Sequence, residues 1–418
     1  MTKQELKQLI KECLNEVRQP LSEMLLPPGF NGNDLESLED FSQEPEELDE
    51  AGEAEEPLFG APTTNLPPDE MTAYLKRIAG EPVIDKKTGK PKLTKKGKPV
   101  IKSLKLDPDK YKYPYIHRSN IVDDSGNIIP QEDLKRLIKV RPDKLLKQNM
   151  KMQKSGGANF IFYDISLPAL RGLIVDESTN EFKIVNTCPG AGACKTYCYA
   201  KKGGYVQWKA SSLFQTRMVN FLLNDYVGFK AKLLNELNNS VKIKTKKGVK
   251  VVLRWHDSGD FMSEKYLQMA YNIARATPDV IHYAYTKRVG MVSASDKPSN
   301  FVFNFSKGAS APEEGQIQVG SKQSIVVPKQ TFQDLMHKDD KKKKWVFNTP
   351  QDEETFKRKM SLKYGIDEDS ILTYDEMVKL PYDQNVDIEP KWNIIVVPGD
   401  GDVSAMRKDV LGTYLLIH

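Results

Sequence analysis

The stretch VNTCPGAGACKTYCYAKKGGY, residues 185–205, holds three of the chain's four cysteines, Cys188, Cys194 and Cys198, while Cys13 lies far upstream. An odd number of thiols cannot all pair as disulfides. In a chain poor in cysteine, such a cluster reads as a metal ligand set before it reads as a structural bridge. The spacing is C-x5-C-x3-C. A closed four-thiolate zinc site reads as two C-x2-C halves, and that pattern is missing. Three thiolates with His256, at the end of RWH, would make a Cys3His zinc site, with His282 as the second choice of imidazole. The other reading is an iron–sulfur cluster, in which three cysteines hold a four-iron cubane and leave one iron open to a further ligand.

Other polar residues with chemical potential recur where apolar runs stop: Asp257, Ser258, Gly259 and Asp260 in DSGD, then Thr286 and Lys287, Ser306, and Asp400 and Asp402 in PGDGD. Ser or Asp in DSGD also suits a helix cap. Adjacent carboxylates in PGDGD suit a hard cation or a ribose hydroxyl, although a Gly-Asp turn is the commoner explanation of such a stretch. No Walker lysine and no G-x-G-x-x-G follows a strand, so no nucleotide fold is read from them.

The elements that must position these groups alternate in type. Runs at 159–167, 181–186, 250–256, 280–287, 301–308, 324–329 and 392–399 read as strands. Residues 207–239 read as two helices meeting near Asp225. Residues 263–278 form a helix capped by Ser263, with Tyr266, Ala270 and Ile273 on one face. Such alternation predicts an α/β domain with a parallel sheet and functional groups at the C-terminal strand ends. The expected architecture is a partial or complete (β/α) barrel, with a doubly wound sheet as the alternative.

The chain has 418 residues, 39% apolar and 28% charged, and a formal net charge of +5. That charge is unevenly spread. No Lys or Arg occurs between Gln19 and Leu75, twelve acids fall between Asp34 and Glu56, and eleven lysines fall between Lys86 and Lys112. Four regions follow. Residues 1–19 form an amphipathic helix (Leu6, Ile10, Cys13, Leu14, Val17). Residues 20–69 form an acidic disordered linker, too poor in apolar surface to offset ordering entropy. Residues 70–114 form a short helix and a basic arm or hairpin. Residues 115–418 form the α/β domain, with a Lys-rich insertion near 330–390. No apolar run of about 18 residues suggests a membrane span, and no secretory signal is read at the start. An intracellular compartment is therefore expected.

CPGAGACKTYCYA, followed by RWHDSGDF and YAYTK, resembles a phage and plasmid family, the gene-product-88-like proteins, over about residues 155–310. That family is in turn similar to radical S-adenosylmethionine (SAM) enzymes. These carry three cysteines on the loop after the first barrel strand, often with an aromatic before the last, the place Tyr197 holds here. Their usual spacing is C-x3-C-x2-C, from which this chain departs. The resemblance implies that Cys188, Cys194 and Cys198 bind a 4Fe–4S cluster whose open iron chelates SAM. One electron then cleaves SAM to start radical chemistry on an unknown substrate. It also implies that Ser258, Gly259 and Asp260 meet the methionine moiety. Thr286 and Lys287 are candidates for its carboxylate or an anionic substrate. Ser306 and Asp400 are further candidates at the cofactor.

Two non-catalytic readings stand beside this one. Lysines of 86–112 and 341–344, with Tyr111, Tyr113 and Tyr115, suit phosphate contacts and base stacking in a metal-stabilised nucleic-acid-binding protein. The N-terminal helix and acidic leader resemble capsid-targeting leaders of tailed phages, with cleavage-like triplets at 14–16, 21–23 and 48–50. Those readings place the protein in a host cytoplasm or packaged in a virion.

Overall fold

The computed structural model describes residues 58–416, apart from 96, 98, 102–113, 124, 150–151, 154, 156–158, 202 and 385–387. The expected N-terminal helix and most of the expected acidic linker lie outside the described residues.

A helical turn, Leu58–Gly60, opens the described chain and is followed by β1 (Thr63–Asn65) and α1 (Pro68–Ala79). The expectation of a linker running to residue 69 is therefore corrected. Leu66, Met71, Tyr74, Leu75 and Ile78 are buried and supply apolar surface that holds this segment on the domain. In the region expected as a basic arm or hairpin, the described residues between 82 and 101 make antiparallel bridges Pro82↔Ile101, Ile84↔Pro91 and Leu93↔Pro99, which join three short extended segments. Helix α2 (Gln131–Lys139) then precedes β2 (Phe160–Ser166), β3 (Arg171–Asp176) and β4 (Glu181–Asn186).

The cysteine segment follows β4 and leads to α3 (Lys209–Asn224) and α4 (Tyr226–Thr245), which meet at Asp225 as expected. Next come β5 (Lys250–Ser258), α5 (Glu264–Ala276), β6 (Val280–Thr286), β7 (Phe301–Ser306) and β8 (Gln323–Val327). The Lys-rich insertion folds as a hairpin, β9 (Met336–Asp339) and β10 (Lys344–Phe347), then α6 (Pro350–Tyr364) and β11 (Ile371–Thr373). β12 (Trp392–Val396) and β13 (Val410–Leu416) complete the order.

Eight strands form one sheet in the order β11-β12-β13-β8-β7-β6-β5-β2, and every neighbouring pair is parallel. Among the described residues β2 and β11 do not pair, so the sheet is open and no barrel closes. The outer edge of β2 is instead met by Lys147, which exchanges two backbone hydrogen bonds with Asp164, at 3.1 and 2.8 Å. Central strands are buried on both faces; in β5 every residue from Val251 to Ser258 is buried. This is why parallel strands read as unbroken apolar runs.

β4, the strand that feeds the cysteine loop, is not in this sheet. It pairs antiparallel with β1 and β3 in a separate three-stranded sheet. On β3, the outer strand, Asn220 accepts from Val175 N at 2.8 Å and donates to Leu173 O at 2.9 Å, and Asn224 donates to Val175 O at 2.9 Å. Side chains of α3 thus satisfy backbone groups that no further strand meets.

Candidate cofactor site at the cysteine loop

β5 sets the site. Between the paired positions Asp164↔Arg254 and Ser166↔Ser258, one residue of β2, Ile165, faces three of β5, Trp255, His256 and Asp257. His256 takes up the excess with a left-handed backbone, φ 63°, which is uncommon outside glycine. Bulges of this kind re-aim side chains beside functional sites. The strand then turns through Gly259 (φ 88°), where an added Cβ would lie 2.7 Å from Leu167 Cβ.

Asp260 follows and ties three segments together. Its backbone N–H donates to Thr187 O at 2.8 Å, just before the first cysteine. Its Oδ1 accepts from Thr286 Oγ1 at 2.7 Å and Phe261 N at 2.8 Å, and its Oδ2 accepts from Lys287 N at 2.8 Å. Burial raises the Asp260 pKa, opposed by Lys287 and these hydrogen bonds.

The cysteine loop crosses the C-terminal ends of β5, β6 and β7. Gly192 N and Cys194 N donate to Gly308 O at 3.1 and 3.0 Å, and Ser310 N donates to Gly190 O at 2.8 Å. At Gly192 a Cβ would overlap the Ala309 carbonyl, so only glycine allows this approach. Tyr197 adds a contact from its hydroxyl to Lys307 O at 3.4 Å.

Cys188, Cys194 and Cys198 are free thiols, each part-buried. Cys188 Sγ accepts from Leu170 N at 3.4 Å. Burial pushes the Cys188 thiol up to about 12, with Asp260 and Cys198 acting in the same direction and Lys287 against them. Burial also raises Cys194, and there Lys287 again opposes it. The Lys287 ammonium therefore acts on two of the three thiols and favours their ionised form. Among the described residues no group of three or more His, Cys, Asp and Glu is gathered tightly enough to hold a metal ion. The donor set fits a thiolate-held cluster in kind, with three free thiols on one loop and a cation beside two of them. Ligation requires the three sulfurs to draw together and lose their protons.

The sequence-predicted residues divide into those the fold gathers and those it separates. Cys188, Asp260, Thr286 and Lys287 share one hydrogen-bonded and electrostatic cluster. Three of the Asp260 carboxylate's roughly four acceptor positions are taken, leaving about one for a ligand ammonium. Gly259 approaches Leu167, which occupies the space expected to admit ligand. Ser258 Oγ is buried without a partner. Ser306 ends β7 one residue before Lys307. Asp400 lies elsewhere, held by Lys344 Nζ at 3.2 Å and Val397 N at 3.0 Å.

His256 turns into an aromatic layer. Its Nε2 meets Tyr266 OH at 2.7 Å, its ring centroid lies 4.6 Å from that of Phe261, and burial pulls its pKa down to about 3. His282 is held by Trp255 Nε1 at 3.1 Å and Thr277 Oγ1 at 2.9 Å. For the sequence reading of a Cys3His site, His282 has both ring nitrogens engaged in the core, whereas His256 uses Nε2 and keeps Nδ1 buried without a partner.

Three participants were not singled out from sequence. Arg254 pairs with Asp402 at 2.7 Å and donates to Tyr199 OH at 3.2 Å, and Tyr205 donates to Asp257 Oδ2 at 2.9 Å. Their only local signal is an arginine inside an apolar strand run and tyrosines just past the last cysteine.

Fold and site define an open parallel α/β protein whose thiol loop is pinned across three strand ends. The family model for gene product 88 matches residues 137–370, more than half of the chain, and the chain belongs to that phage-type family. The matched span includes the cysteine loop and the loops after β5, β6 and β7. No curated protein and no solved structure matches the chain. Among the described residues no helix is long and apolar enough to cross a membrane.

Proposed function

We propose that Cys188, Cys194 and Cys198 hold a 4Fe–4S cluster and that the protein is an enzyme of the radical SAM kind. The observation that carries this reading is the anchoring of one three-thiol loop across the C-terminal ends of β5, β6 and β7, where parallel sheets gather their chemistry. When bound, the cluster supplies the electron that cleaves SAM. The chain's own residues position and shield: Lys287 favours thiolates, Asp260 fixes the β6 end and offers one remaining acceptor, and Tyr197 packs the loop onto β7.

Anaerobic reconstitution tests the reading. Roughly four irons per chain are expected, the content of one cubane cluster. Cys188→Ala, Cys194→Ala and Cys198→Ala should each lose the cluster, and Cys13→Ala should keep it. With strong reductant, SAM should yield methionine and 5'-deoxyadenosine. Stoichiometric zinc without iron would remove the cluster; an intact cluster that neither binds nor cleaves SAM would remove the enzyme.

A second reading, a nucleic-acid-binding protein, draws on the exposed Lys86, Lys87, Lys90, Lys92 and Lys95 and on Lys341, Lys342 and Lys343 at the β9–β10 turn. Affinity for DNA or RNA that falls steeply with salt is its signature.

A further inference from the structure

Between Glu181 and Asp225 the chain carries six Lys or Arg and no Asp or Glu. Four of these cations, Lys195, Lys201, Lys202 and Lys209, interleave with Tyr199, Tyr205 and Trp208 around and just past Cys198. Trp208 and Tyr199 are 66% and 55% exposed, more than any other aromatic among the described residues.

Trp208 is held in place. Its N–H donates to Gly204 O at 3.3 Å, and its carbonyl accepts from Ser211 N at 3.1 Å and Ser212 N at 3.4 Å, at the junction of the Gly204–Gln207 turn with α3. Gly204 has no side chain to push the indole away; a Cβ there would lie 3.4 Å from Trp208 Cε3 and Cζ3. The Tyr199 hydroxyl is anchored inward, on Asp257 O and Arg254, so the exposure of Tyr199 falls on the rest of the residue. The Tyr199 and Tyr205 rings meet edge to face at 5.7 Å.

The charge this segment brings to the surface is all positive. Lys195 and Lys209 are exposed, and no carboxylate pairs with either among the described residues. Lys201 Nζ donates to Lys195 O at 2.7 Å, which ties the two lysine positions together. Asn120 Nδ2 donates to Lys209 O at 2.8 Å and His117 N to Ser212 Oγ at 3.0 Å. Burial, then Lys209 and Arg118, lowers the His117 pKa, so both cations lie beside it. Of the carboxylates nearby, Asp257 is buried and Glu314 pairs with Lys307 at 3.6 Å.

We infer that this surface binds single-stranded nucleic acid, with an unpaired base stacked on Trp208 and backbone phosphates met by Lys195 and Lys209. A fixed indole with open surface stacks on any base, and lysines neutralise phosphates without reading sequence. A duplex keeps its bases stacked on one another and offers Trp208 no free face. An acidic protein would satisfy the lysines but brings no row of flat rings. The surface uses none of the three thiols and lies outside the Lys86–Lys95 and Lys341–Lys343 clusters, so it stands whether or not a cluster forms.

Oligothymidylate binding to the purified full chain tests it, followed by tryptophan fluorescence and by anisotropy of the end-labelled strand. Saturable quenching is expected. Trp208→Phe should lose most of the quenching and keep most of the affinity, while Trp208→Ala should weaken binding about tenfold. Lys195→Gln combined with Lys209→Gln should reduce the log–log salt slope by about 1.4, roughly 0.7 for each phosphate no longer neutralised. Binding untouched by Trp208→Ala but abolished by Gln at Lys341, Lys342 and Lys343 would overturn the inference. So would polyglutamate or duplex DNA binding as tightly as the single strand, or no binding at low salt. Self-association on concentration that Trp208→Ala abolishes would overturn it too, by making the ring a contact between copies of this chain.

Discussion

At Gly259 the positive φ and the Leu167 contact leave no room for a side chain. Gly259→Ala should cost about 1–3 kcal/mol from backbone strain alone, read as a lower urea midpoint. The turn was legible in SGD, because glycine beside Ser and Asp is a local signal. Leu167 as its neighbour was not, since that contact depends on the pairing of β2 with β5. The histidines carry a pH prediction. Burial pulls His256 and His282 from 6.5 to about 3, so below the ordinary histidine value the unfolded chain binds protons that the folded chain refuses. Their contribution is full above about pH 6.5 and is lost progressively as pH falls toward about 3. Urea midpoints measured across that window should decline, with a slope reduced in His282→Gln.

The helix α5 was readable down to its cap: Ser263 Oγ accepts from Tyr266 N at 3.2 Å and donates to Phe59 O at 2.8 Å. Ser263→Ala should lower stability by about 1 kcal/mol for the cap, and further through the lost tie to Phe59; thermal unfolding reads both. The cysteine loop is a second case. Gly192→Ala should displace it from Ala309 and lower iron loading while leaving the cooperative unfolding transition in place. Sequence located this loop after a strand, correctly. It did not show that β4 belongs to an antiparallel sheet, because EFKIVN has the same apolar run in either setting. β3 went unread for a related reason: RGLIVD is short, and its outer backbone edge is met by Asn220 and Asn224 from another element.

Across the whole molecule, alternation of strands and helices conveyed a parallel α/β sheet, and polar strand ends conveyed which edge the cysteine loop meets. Closure was not conveyed, because it depends on which strands become neighbours. The Arg254–Asp402 pair shows how distant those neighbours are. It joins β5 to the turn after β12, with both side chains nearly buried. Asp402→Ala should strand the guanidinium and cost about 3–5 kcal/mol, measured as a shift in the denaturation midpoint. The strand order has a further consequence for synthesis. β13 lies between β8 and β12, so when β8 and β12 leave the ribosome, each lacks its partner until residues 410–416 follow. A nascent chain stalled before Val410 presents two raw parallel edges at once. Chaperone demand should therefore peak late in translation and fall sharply once that single strand slots in.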